Sequence, residues 1–160
     1  MIDLEKDGID HINVYAMGRT EFGRFFSNMA ETPIDLPYLG KFRCVEGLWH
    51  YLKFKDPRHR TYNGFDSKKL DNEYDKNPEE RLQQNIPEDV FKLIIRQAVR
   101  QKARKHDGIV LCRDPRFKDL PLKHYMVYGK DHPTPKILDV TEKYKWWLDI
   151  IEEIRTQANV

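Results

Sequence analysis

Glu46, His50 and Lys53 stand four and three residues apart in Val45-Glu46-Gly47-Leu48-Trp49-His50-Tyr51-Leu52-Lys53-Phe54. At 100° per residue these three polar side chains share one stripe of a helix, while Val45, Leu48, Trp49 and Leu52 gather on the adjoining face. A carboxylate, an imidazole and an amine along one edge form either a catalytic row or a solvated face with a Glu46–His50 contact. A second unusual run, Phe25-Phe26-Ser27-Asn28-Met29, sets a hydroxyl and an amide among apolar neighbours. Buried polar groups need partners, so Ser27 and Asn28 face either a ligand or the backbone of a tight turn.

Other side chains divide in the same way. Arg19 and Arg24 lie in a glycine-punctuated loop before the Ser-Asn pair, placed to meet phosphates. Lys68 and Lys69 add cations on a short helix opened by Asp66. Trp49 borders the polar stripe as a stacking surface or, beside Leu48 and Leu52, as core. His124 and Tyr128 share one side of a strand, where a proton-transfer pair competes with a structural histidine.

The elements that must carry these residues follow from pattern. His11–Tyr15 alternates as a strand, and Met17–Arg24 reads as a loop. Two prolines demote Thr32–Tyr38 to an edge or irregular strand, and Lys41–Cys44 alternates into the Glu46 helix. Asp56-Pro57 ends that helix, Arg58-His59-Arg60 is a basic loop, and Asn63-Gly64 is a turn. Residues 71–84 are charge-dense and read as a surface loop or partial helix. Pro87 opens a long helix with Glu88 and Asp89 in its first turn. Its buried stripe is Val90, Phe91, Ile94, Ile95, Ala98 and Val99, and Gly108 ends it. Ile109–Cys112 fits either a buried strand or a short helix. His124–Tyr128 and Ile137–Val140 are strands, and a last helix from about Thr141 buries Tyr144, Trp147, Leu148, Ile151 and Ile154. Scattered short strands with separate helices predict an α+β fold.

Composition bounds the rest. The chain of 160 residues suits a single compact domain over 1–160. Its 28 basic and 26 acidic residues leave a net charge of only +2, so any attraction for phosphate must be local. Cys44 and Cys112 are too few for a disulfide framework or a four-ligand zinc site, and free thiols suit a reducing cytoplasm. No apolar run has membrane-spanning length and the opening residues are acidic, so a soluble cytoplasmic domain is expected. No cluster of His, Asp and Glu has metal-ligand spacing, and neither metal nor cofactor is expected.

Phe26-Ser27-Asn28, Val45-Glu46-Gly47 and Lys53-Phe54 together resemble the paired motifs of the NADAR superfamily, which includes the YbiA-like N-glycosidases. Gly64-Phe65-Asp66-Ser67-Lys68-Lys69-Leu70 and His124-Tyr125-Met126-Val127-Tyr128-Gly129 extend the resemblance from about His11 to the last helix. It implies a NADAR-like fold and cleavage of ribosyl C–N bonds, on phosphorylated riboflavin-pathway intermediates or on ADP-ribosylated guanine. The carboxylate and tryptophan-glycine pair found late in the YbiA-like branch have no counterpart here, which turns the expectation toward ADP-ribose on guanine in DNA.

Such a reaction builds positive charge on the sugar. The resemblance makes Glu46 the carboxylate that meets it, and a first-turn position favours the ionised form. Lys53 is expected either to hold a phosphate as an ammonium or to attack the anomeric carbon as an amine. Ser27, Asn28, Arg19, Trp49, Lys68, Lys69, His124 and Tyr128 are the expected substrate contacts. The expected partner is ADP-ribosylated guanine in nucleic acid, single-stranded DNA first. A small ribosyl or NAD-like nucleotide, and a module that binds ADP-ribose or NAD without cleavage, are the alternatives.

Overall fold

The computed structural model describes residues 1–76 and 85–160, with side chains described outside 74–84. The charge-dense reading of 71–84 thus divides: its first six residues are helical and 77–84 lie outside the described residues. The fold is α+β, built among the described residues from helices and three two-stranded sheets. Its contacts gather into two compact units. One unit is continuous, Asn28–His106, and the other is split, Met1–Ser27 with Asp107–Val160. Among the described residues no helix is long and apolar enough to cross a membrane.

In the split unit, β1 (Ile12–Asn13) pairs in parallel with β4 (Leu122–Lys123), Ile12 opposite Leu122. Strand β5 (Tyr125–Tyr128) pairs antiparallel with β6 (Lys136–Asp139). The expected 17–24 loop is half helix: Thr20 caps α1 (Glu21–Phe26), its Oγ1 accepting the Gly23 N–H at 2.9 Å. Gly23 looked like loop punctuation but serves close packing, since a Cβ there would run into the Asn13 carbonyl. The apolar run after Asp107 is helix α5 (Gly108–Arg113), and α6 (Lys145–Ala158) packs against it. Trp147, Leu148, Ile151 and Ile154 are buried as expected, whereas Tyr144 is only half-buried at the helix N-cap. Arg155 is buried among them because its guanidinium donates to the Phe117 and Leu120 carbonyls, 2.7 Å each.

In the continuous unit, β2 (Ile34–Leu36) and β3 (Gly40–Phe42) form an antiparallel hairpin ahead of α2 (Val45–Lys53). Val45, Leu48 and Leu52 are the buried face of α2. Against it pack a 3-10 turn at Pro57–Arg60, α3 (Gly64–Lys76) and α4 (Glu88–Lys105). The cap of α3 is Asn63, not Asp66, since Asn63 Oδ1 accepts the Asp66 N–H at 2.8 Å and the helix already starts at Gly64. The buried stripe of α4 runs later than the pattern suggests. Ile95, Ala98, Val99, Lys102 and Ala103 are buried, and Val90 is exposed. The helix stops at Lys105, with Asp107 in the left-handed region at φ 66°, and Gly108 opens the next helix.

Candidate functional site

The stripe on α2 is sheltered at one end and open at the other. Glu46 is the second residue of the helix, and its N–H donates to the Asn28 carbonyl at 2.9 Å. That bond uses a helix-end donor with no partner inside the helix and ties Glu46 to the Asn28–Met29 segment. Asn28 Oδ1 is buried there without a hydrogen-bond partner. Gly64 closes the same corner. A Cβ on it would strike Met29 Sδ and come within 3.1 Å of Glu46 Cβ, so the start of α3 reaches this point only as glycine. The Glu46 side chain is 16 % exposed.

One turn further along, His50 Nε2 lies 2.9 Å from Glu46 Oε1, and its Nδ1 bonds Asp71 Oδ2 on α3. His50 and Asp71 side chains are each 10 % exposed. Burial alone would lower the His50 pKa, but its bonds to Asp71 and Glu46, with their negative charges, outweigh it and push the ring up to about 9. Burial likewise acts to raise Asp71, and the bond and positive charge of His50 reverse that, holding its carboxyl below the usual range. His59, fully buried in the 3-10 turn, stacks on His50 with ring centroids 5.7 Å apart, its Nε2 3.4 Å from Asp71 Oδ1. That separation is close enough for charge attraction but is not a hydrogen bond, and both His59 ring nitrogens and Asp71 Oδ1 lack hydrogen-bond partners. Gly47 permits the approach, because a Cβ there would run into the His59 carbonyl.

Lys53, two turns below Glu46 and about 10 Å along the axis, is exposed, its Nζ 5.7 Å from the centroid of the Trp49 ring. Trp49 is half-buried and meets Phe91 edge-on at 5.0 Å. Lys68 and Lys69 are exposed on α3, between the buried Ser67 and Leu70. The remaining expected contacts belong to the split unit. Ser27 is buried at the C-cap of α1, its N–H donating to the Gly23 carbonyl. Arg19 is exposed and pairs with Glu5 at 3.2 Å. His124 bonds the Val14 carbonyl through Nδ1 at 2.7 Å, and since a carbonyl only accepts, Nδ1 carries the proton. Its ring also meets Tyr144 and Trp147 edge-on. Tyr128 is exposed, with its hydroxyl 3.5 Å from Met126 Sδ.

The structure thus brings Asn28 and Glu46 together, makes the Glu46–His50 contact that the spacing offered, and adds Asp71, which had no expected role. His50 was visible as a stripe member four residues from Glu46. Asp71 was hidden in a charge-rich stretch; its signal was the i,i+4 spacing from Ser67 around the apolar Leu70. Among the described residues no group of three or more His, Cys, Asp or Glu could hold a metal ion, and Cys44 and Cys112 are buried and free.

No protein-family model, curated protein or solved structure matches this chain.

Proposed function

We propose that this chain is a cytoplasmic N-glycosidase of the NADAR type that removes ADP-ribose from modified guanine in DNA. The observation that carries the reading is the sheltered Glu46 carboxylate, bonded by His50, on a residue whose backbone N–H is held by Asn28, itself carrying a buried, unpartnered Oδ1. As the ribosyl C–N bond breaks, its electron pair leaves with guanine and positive charge grows on the sugar. A carboxylate partly screened from water stabilises that charge more strongly than an exposed one. Glu46 then takes a proton from the water that adds to the anomeric carbon, and the departing guanine nitrogen takes up one proton, so that the net reaction is addition of water across the C–N bond. Asn28 orients a ribose hydroxyl or the base edge. Lys53, exposed over Trp49, suits a phosphate contact of the ADP-ribose, with Lys68 and Lys69 as further cations. Ser27, Arg19, His124 and Tyr128 remain candidate contacts by resemblance.

The test is a product assay by mass spectrometry on single-stranded DNA carrying ADP-ribosylated guanine, run beside ribosyl nucleotides of the NAD and riboflavin-precursor type. Release of ADP-ribose from the oligonucleotide, lost by at least ~100-fold in Glu46→Ala with the fold retained, is the expected result. Turnover of the small nucleotides alone would move the substrate to that class, which the near-balanced charge favours as second reading. Tight ADP-ribose binding without any product would make the chain a binding module. Borohydride trapping with substrate separates the two roles of Lys53, since only the nucleophile leaves an adduct that Lys53→Ala abolishes.

A further inference from the structure

His50 is bonded at both ring nitrogens, and both partners are carboxylates: Glu46 through Nε2 at 2.9 Å and Asp71 through Nδ1. An ionised carboxylate only accepts, so a ring that satisfies both must donate from each nitrogen. The three side chains are at most 16 % exposed, so water screens the arrangement weakly. The two carboxylates are not equivalent. Glu46 sits at the start of α2, its N–H bonded to the Asn28 carbonyl. Asp71 is bonded through the other ring nitrogen and is backed by the fully buried His59.

We infer that Asp71 is a positioning residue that acts through His50, holding the imidazole in one orientation with an N–H directed at Glu46 so that the Glu46 carboxylate keeps a single pose. The inference rests on the reading of Glu46 as the group that serves the sugar carbon. Among the described residues, the charged or titratable groups bonded to or stacked on His50 come from three elements. Its own helix brings Glu46, α3 brings Asp71, and the 3-10 turn brings His59. Helix α4 meets α2 through Phe91 on Trp49, with Lys102 near Cys44, and β3 meets it through Phe42 on Tyr51. Removing the Asp71 charge therefore makes the second ring proton easier to lose. A ring with one proton can still donate to Glu46, but it is no longer held as a donor from the α3 side, so the imidazole and the carboxylate it bonds lose their single pose.

The experiment follows the His50 ring by 15N NMR in the full chain across pH 5 to 10.5, in wild type, Asp71→Asn and Glu46→Gln. The expected result is a wild-type midpoint near 9, lowered by about 1–3 units in each variant. An unchanged midpoint in Asp71→Asn overturns the inference. If that variant does not fold, an unchanged midpoint in Glu46→Gln overturns it instead. On the ADP-ribosylated oligonucleotide, the alkaline limb of kcat should move to lower pH in Asp71→Asn together with the ring. At pH 8 this gives about a tenfold loss in kcat, with a smaller loss at pH 6 and KM within about twofold. A limb that stays in place while the ring midpoint falls also overturns it. Absence of any wild-type turnover would instead remove the glycosidase reading, and the ring titration would still decide whether Asp71 governs His50.

Discussion

His11 and His50 are both buried and both bonded at each ring nitrogen, one in each compact unit, yet their partners differ in kind. His11 bonds the Asp10 carboxylate through Nδ1 at 2.6 Å and the Tyr125 hydroxyl through Nε2 at 2.7 Å. Asp10 is 65 % exposed, so water shares its charge. Burial raises the Tyr125 pKa, with the Asp7 charge adding to it, and the phenol stays protonated. One ring proton is enough there: Nδ1 donates and Nε2 accepts from the phenol. His50 needs two, because both its partners are carboxylates. The first arrangement links the segment before β1 to β5, and it is structural. The second concentrates charge where water is scarce, the usual setting of a reactive group.

That contrast can be broken most sharply at the carboxylates. Asp71→Ala strands His50 and His59 in the core, and should lower the unfolding free energy in urea at pH 7 by about 3–5 kcal/mol, as for other buried pairs cut on one side. Next in size is pH. The folded-state His50 pKa of about 9 lies above its ordinary 6.5. Its stabilisation is therefore complete below 6.5, shrinks as pH rises, and is gone above about 9, a change on the order of 3 kcal/mol. Buried Lys102, pushed down to about 7 from 10.5, has the opposite slope between those values. The difference between wild type and His50→Gln unfolding curves isolates the histidine, and a flat difference between pH 6.5 and 9 would contradict its charge. In the split unit the effects are smaller. Tyr125→Phe leaves the His11 Nε2 without its partner and should lower the thermal stability by about 1–3 kcal/mol. Asp10→Ala removes only an exposed partner, so urea unfolding should find at most about 1 kcal/mol. A loss as large as that of Asp71→Ala would erase the distinction between the two histidines.

How much of this was legible depends on sequence distance. The α2 helix and its Glu46–His50 spacing follow from periodicity, because both are set within one turn. Helix α4 announces itself by Pro87, its acidic first turn and its basic last one. Helix α1 was hidden because Gly18 and Gly23 read as loop residues, while Gly23 is there for contact with Asn13. The two-residue β4 is too short for any alternation to register. Val90 looked buried because a helical period states which face is apolar and not how far along that face the core extends. Asp71 lies 21 residues beyond His50 on another helix, and its carboxylate looks solvated until α3 is laid against α2. His59, between two arginines, looked like part of a basic surface, yet it is wholly enclosed.

The unequal continuity of the two units bears on how the chain assembles during synthesis. Everything the Asn28–His106 unit needs leaves the ribosome as one stretch, so it can close on itself early. The first 27 residues must wait for a late segment, since β1 finds its parallel partner only when Leu122 and Lys123 have emerged. Loop-closure entropy makes that distant pairing the slower step, unless the intervening stretch has already collapsed and shortened the effective span. The middle of this protein is therefore expected to be born first, and its two ends to pair only after that insert is finished.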